Sequence, residues 1–161
     1  MYRTSVIALG SNLGDREVFL RTACARLGQL GHLVAVSSLY ETAPIGPSQP
    51  VYLNGVALLA TELEPTDLLR GLLGIESSLG RVRDVRWGPR SIDLDLVAMD
   101  DLVVDAPELT LPHPEAHRRA FVLAPLAEVA PDFVLVGHGT AAALLAALPP
   151  AERAGAHRLL R

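Results

Sequence analysis

The chain has 161 residues, half of them hydrophobic and 4% aromatic, with a formal net charge of −4 at pH 7. A chain of this length buries roughly 70% of its extended surface, enough for a core of Leu, Val and Ala without covalent staples. The acidic balance argues against nucleic acid as a partner; all 14 basic residues are Arg, which excludes Schiff-base and P-loop lysine chemistry, and the single Cys24 excludes an internal disulfide or a cysteine-held zinc cluster.

Residues 6–9 are a fully apolar strand ending at the turn formers Gly10-Ser11-Asn12-Leu13-Gly14, with Asp15 placed as a helix N-cap. That glycine turn lacks the Gly-Lys-Ser/Thr of a P-loop and the G-x-G-x-x-G spacing, so it reads first as a turn, with Asn12 within reach of a ligand. Phe19, Ala23, Leu27 and Leu30 recur at helical spacing, Gly31 is expected to close the helix, and Cys24 reads as a buried, inert thiol. Residues 32–42 predict one strand, 43–50 a proline-rich loop, and 52–63 a second strand antiparallel to the first. Pro65 suits the first turn of a helix whose buried stripe is Leu68, Leu69, Leu72, Leu73 and Leu79.

The stretch 80–89 is polar and has no hydrophobic period, so it predicts an exposed loop. Residues 91–99 then read as a strand with Ile92, Leu94 and Leu96 on one side and Asp93 and Asp95 on the other. Short pieces follow at 102–104 and 109–111, a helix at 121–128, and a last helix capped by Thr140; the tail from 149 to 161 reads as a loosely attached helix. The order β-α-β-β-α-β predicts an α+β, ferredoxin-like fold over a single domain, 1–161: an antiparallel sheet backed by helices on one face, with the other face free for a site. No secretory leader or membrane-spanning run is read, so the expected compartment is cytoplasmic.

The segment Arg81-Val82-Arg83-Asp84-Val85-Arg86-Trp87-Gly88-Pro89-Arg90-Ser91-Ile92-Asp93-Leu94-Asp95 carries the strongest chemical signal. Carboxylates two apart on a strand share a face, with Cα atoms roughly 6–7 Å apart. Paired metal ions in phosphoryl-transfer sites sit roughly 3.5–4 Å apart, a span that such a pair can bracket. Mg²⁺ keeps its remaining positions for water and phosphate oxygens, and nearby guanidinium groups match the charge of a triphosphate. An isolated D-x-D is commonly just the wet side of an edge strand; the Arg-dense loop before this one is what points to phosphate. His113, between Pro112 and Pro114, reads as a loop residue that packs or contacts phosphate. Thr42, Tyr52 and Asn54 taken alone read as ordinary strand residues.

These stretches together resemble the 6-hydroxymethyl-7,8-dihydropterin pyrophosphokinase family. The likeness runs through Ala8-Leu9-Gly10-Ser11-Asn12-Leu13-Gly14, Tyr40-Glu41-Thr42-Ala43-Pro44, Tyr52-Leu53-Asn54, Glu76, Gly80-Arg81-Val82-Arg83, the segment from Arg86 to Val97, and Leu109-Thr110-Leu111-Pro112-His113-Pro114 with Arg119-Ala120-Phe121. It implies diphosphoryl transfer from ATP to a pterin alcohol, with two Mg²⁺ held by Asp93 and Asp95 and with Arg81 and Arg90 stabilising the transferring group. Glu76, Arg83, Leu96, Thr110, His113 and Arg119 would serve ATP. Asn12, Thr42, Ala43, Pro44, Ile45, Tyr52, Asn54, Trp87 and Phe121 would form the pterin pocket, with Tyr52 and Phe121 as the two flanking rings. The chain departs from the family pattern at Asp84, Glu108 and Pro114, which bear on the nucleotide and not on the aspartate pair. The loops at 43–50 and 80–89 are expected to close over both substrates, and the enzyme is expected to act as a monomer with no nucleic acid or membrane partner. The rival readings are a ferredoxin-like binding module without catalysis and another D-x-D nucleotidyl or glycosyl transferase.

Overall fold

A computed structural model describes residues 1–11, 15–42, 52–79 and 92–159. In chain order the elements are β1 (Arg3–Ser11), α1 (Arg16–Leu27), β2 (His32–Val36), β3 (Tyr40–Thr42), β4 (Tyr52–Thr61), α2 (Pro65–Ser78) and β5 (Asp93–Met99). After them come β6 (Val104–Ala106), β7 (Leu109–Leu111), a 3-10 turn at Ala116–Arg118, α3 (Ala120–Val129), β8 (Val134–Leu135), β9 (Gly139–Thr140), α4 (Ala141–Ala147), α5 (Pro150–Ala154) and β10 (His157–Arg158). The main sheet runs β10-β3-β4-β1-β5 with β2 also on β4, and every pairing is antiparallel. With α1 and α2 as crossovers this is the ferredoxin-like α+β arrangement.

Local chemistry explains the helix starts. Asp15 Oδ1 accepts the Val18 N–H at 3.2 Å, Pro65 sits in the first turn of α2 where its missing N–H costs nothing, and Thr140 Oγ1 accepts the Ala143 N–H at 3.2 Å. Helix α1 stops earlier than the apolar spacing predicts, at Leu27, with the Gly28 N–H turned back onto the carbonyls of Ala25 and Arg26. Its buried stripe is Leu20, Ala23 and Leu27, while Cys24 is only half-buried, and burial pushes its thiol pKa up.

Two apolar clusters sandwich the sheet. On the first face Ile7, Leu9, Leu59, Leu94 and Leu96 meet Leu20, Ala23 and Leu27 of α1 and Leu68, Leu72 and Ile75 of α2. On the second, Val6, Ala8, Val56, Leu58, Val97 and Ala98 meet Ala120, Val122, Leu123 and Leu126 of α3 and Ala141 of α4. Each fully buried Leu or Ile contributes roughly 1.5–3 kcal/mol relative to exposure. The expectation of helices on one face only is therefore corrected: α3 and α4 cover part of the second face because its strand residues there are apolar too.

Two further expectations change. The stretch 32–42 is two strands, because β2 pairs with β4 from Ala57 to Ala60, β3 pairs with β4 from Tyr52 to Asn54, and Ser37 to Leu39 lie between them. The tail is not loosely attached: β10 pairs with β3, and the Leu159 N–H donates to the Leu39 carbonyl at 2.8 Å.

Candidate active site

The register of β1 against its neighbours builds the site. Gly10 faces Asn54 of β4 and Asp93 of β5, and Asn54 faces Tyr40 of β3, so one row across four strands reads Tyr40, Asn54, Gly10, Asp93. Strand alternation puts these on the second face together with Thr42, Tyr52 and Asp95. Along the same face the neighbouring row is apolar at Val56 and Ala8 and ends on Asp95. Helix α3 packs over the apolar end, and the polar end holds the candidate groups.

Gly10 is needed here. A Cβ added to it would stand 2.9 Å from Asn54 Oδ1, closer than real Cβ atoms come. The Asn54 amide occupies the space a side chain would fill. Its Nδ2 donates to Thr42 Oγ1, and both residues are buried, which fixes the amide's orientation and leaves Oδ1 over Gly10.

On β5 the register slips between Val6 and Ile7, so Val97 is the extra residue of a β-bulge. Its carbonyl accepts the His113 N–H at 2.7 Å, which docks the segment after β7 beside β5. The Leu94 N–H donates to Glu76 Oε2 at 2.8 Å. Glu76 is 2% exposed, a carboxylate inside an apolar helix face, and its bond to the β5 backbone offsets part of the cost of that burial.

A cleft of about 410 Å³ opens along β5, lined by Leu69, Leu73 and Glu76 of α2, by Asp93, Leu94, Asp95 and Leu96, and by Pro107, Glu108, Leu109, Thr110, His113 and Pro114. Asp93 is half-buried and Asp95 exposed. His113 Nδ1 accepts the Glu115 N–H at 3.1 Å, so the neutral ring carries its proton on Nε2. Burial, then the Arg119 charge, lowers the His113 pKa against the opposing pull of Glu115, so the ring is neutral at pH 7. Arg119 stands at the head of α3 with its guanidinium carbon 5.5 Å from the centre of the Phe121 ring, a cation–π distance.

One cleft thus gathers six of the residues expected from the sequence: Glu76, Asp93, Asp95, Leu96, Thr110 and His113. Thr42, Tyr52 and Asn54 share the second face beside Gly10, and Arg119 and Phe121 stand where α3 begins. Leu96 borders the cleft, yet its side chain is 3% exposed and packs in the α1–α2 core. Asn12, Ala43, Pro44, Ile45, Arg81, Arg83, Trp87 and Arg90 lie outside the described residues, as do the two loops expected to close. Sequence reasoning missed the cleft walls Leu69 and Leu73: it read both as buried stripe, but Leu73 is 40% exposed. The available signal was the width of the stripe, four leucines in six residues, broader than one helix needs against a sheet.

The paired aspartates fit magnesium. The donors are hard oxygens and share a strand face beside the cleft, a donor set that suits an ion keeping water and phosphate oxygens as its other ligands.

The chain has relatives among known proteins. The chain is 46% identical over 152 residues to the 2-amino-4-hydroxy-6-hydroxymethyldihydropteridine pyrophosphokinase of Pseudomonas aeruginosa, covering 92% of this chain and 94% of that one. The enzyme of the same name from Bacillus subtilis is 46% identical over 132 residues, 80% of this chain and 79% of its own. Among solved structures, an HPPK-DHPS chain crystallised in complex with substrates superposes with a TM-score of 0.70 at 12% identity, over 89% of this chain and 43% of that one, a likeness of fold. The family model for 7,8-dihydro-6-hydroxymethylpterin-pyrophosphokinase matches residues 6–131. The chain belongs to the 7,8-dihydro-6-hydroxymethylpterin-pyrophosphokinase family.

Proposed function

We propose that this chain transfers diphosphate from ATP to the hydroxymethyl oxygen of 6-hydroxymethyl-7,8-dihydropterin, a step of folate biosynthesis, with Asp93 and Asp95 holding two Mg²⁺ and residues 1–161 acting as one catalytic domain. The observation that carries the residue assignment is the shared row: Asp93 stands in register with Asn54 across a glycine, about 10 Å away at the usual strand spacing, so a phosphate site and a flat-ligand site adjoin on one face.

In this reading the pterin alcohol oxygen attacks the β-phosphorus, the bond from that phosphorus to the α-phosphate oxygen breaks, AMP leaves with the electron pair, and the alcohol proton passes to solvent. Bound at Asp93 and Asp95, magnesium would supply charge neutralisation and lower the pKa of the alcohol. His113 Nε2–H, Thr110, Arg83 and Arg119 donate to phosphate oxygens, and Arg81 and Arg90 balance the charge on the transferring group. Glu76 keeps the edge of β5 in place through Leu94 and so aims the two aspartates. Leu96 borders the adenine. Asn54 Oδ1 and Thr42 read the edge of the pterin, Tyr52 and Phe121 flank its faces, and Asn12, Ala43, Pro44, Ile45 and Trp87 complete the pocket. The enzyme works as a monomer in the cytoplasm.

The test is AMP release with the pterin alcohol against sugar acceptors, in the wild type and in Asp95→Ala. Turnover falls more than ~10²-fold in the variant with the circular dichroism spectrum unchanged. Retained turnover removes the metal assignment, and a preference for sugars removes the reaction.

A further inference from the structure

Strand β3 is three residues long, yet it carries Thr42, which orients Asn54. A strand this short contributes few ladder bonds of its own. Two elements far away in sequence hold it. From the outer side, β10 pairs His157 with Glu41 and Arg158 with Tyr40. From the second face, Glu128 near the end of α3 gathers the chain just before Thr42. Its Oε1 accepts the Tyr40 hydroxyl at 2.8 Å, and its Oε2 accepts the Ser38 N–H at 2.9 Å and the Ser38 hydroxyl at 3.0 Å. Arg158 closes the cluster, with Nη2 3.8 Å from Glu128 Oε2 and Nε donating to Ser38 Oγ at 3.1 Å.

We infer that Glu128 and Tyr40, tied to the C-terminal strand through Arg158, are positioning residues for the pterin: they hold β3 so that Thr42 keeps the Asn54 amide in its binding orientation. This rests on the assignment of Asn54 to the pterin pocket. The charge state suits the task. Burial, then the Glu128 carboxylate, pushes Tyr40 up to about 12, so its hydroxyl remains a donor. Burial raises the Glu128 pKa, but the Ser38 backbone, the Tyr40 and Ser38 hydroxyls and Arg158 outweigh it and leave the carboxyl below its ordinary value. Tyr40 stands in register with Asn54, so a shift at Glu128 bears on the Asn54 amide through both Tyr40 and Thr42.

The experiment compares Glu128→Gln and Tyr40→Phe with Asn54→Ala, measuring Kd for the pterin by fluorescence titration and Kd for Mg·ATP by calorimetry, with KM and kcat alongside. Glu128→Gln keeps the side-chain shape and removes the charge; Tyr40→Phe removes one hydroxyl and serves if the first variant does not fold. Both raise Kd and KM for the pterin by about 10-fold and leave Kd for Mg·ATP and kcat unchanged, as expected of a residue that positions a binding group. Wild-type pterin affinity in folded Glu128→Gln and Tyr40→Phe, with affinity lost in Asn54→Ala, overturns the positioning role alone. Equal loss of pterin and nucleotide affinity also overturns it, since that is general loosening. Unchanged pterin affinity in Asn54→Ala instead removes the pocket assignment itself.

Discussion

The two faces of the central sheet are made by the same three strands and differ along their length. Facing α1 and α2, β1, β4 and β5 present the apolar Ile7 and Leu9, Leu59, and Leu94 and Leu96. Facing α3, they begin the same way, with Val6 and Ala8, Leu58 and Val56, Ala98 and Val97. Within two residues they turn to Gly10, Asn54, Asp95 and Asp93. The first face is covered by two helices and opens only at its β5 edge, where Leu69 and Leu73 wall the cleft. The second is covered only where its residues are apolar, and its polar end holds the candidate site. Burial cost sets that division: an apolar helix face laid over Asp93 and Asp95 would have to desolvate two carboxylates.

That contrast can be broken or sharpened by substitution. Leu59→Ala, at a fully buried position of the first face, costs about 2–5 kcal/mol in urea unfolding and leaves KM for both substrates unchanged. A change in KM there would mean the faces are not independent. Gly10→Ala places a methyl against Asn54 Oδ1 and lowers kcat/KM for the pterin by up to ~10²-fold, with a stability cost of about 1–3 kcal/mol. Unaltered kcat/KM would move the site off this row.

Glu76 sits on the border, a carboxylate in the first-face helix whose work is done at β5. Glu76→Leu strands the Leu94 N–H and is about 1–3 kcal/mol less stable than Glu76→Gln, whose amide oxygen still accepts it. Equal stabilities by thermal melts would show that the bond to Leu94 is not what keeps Glu76 buried. The smallest effect is at Glu128. Its folded pKa lies below the unfolded value, so the unfolded chain binds more protons between the two. Its contribution is present at neutral pH and is lost as pH falls through the folded value. The Glu128→Gln variant shows a flatter fall in melting temperature across that acid range, and an identical slope would mean that Glu128 is not held as an ion.

Much of this was legible locally. Asp15, Pro65 and Thr140 mark helix starts through chemistry that acts within four residues. The alternation of residues 92–96 alone places Asp93 and Asp95 on one side of a strand, because side chains of a strand alternate whatever lies beyond them. The Arg-rich and family-like segments pointed to phosphate and pterin chemistry, and relatives at 46% identity bear that out.

What covers each face was not legible, because it depends on segments brought together from far along the chain. Periodicity reports that a face is apolar or polar, not which helix meets it, so α3 on the second face and the exposed Leu73 both escaped it. The split of residues 32–42 into β2 and β3 and the docking of the tail depend on partners 90 and 120 residues apart, Ser38 with Glu128 and Ser38 with Arg158. The amino-acid order by itself determined where β1, β4, β5 and the helices α1 to α4 fall along the chain and the side on which the acidic pair projects. Tertiary packing alone decided which half of the second face is covered, where the cleft opens and what holds Thr42 against Asn54, since each is a meeting of distant segments that no local spacing encodes.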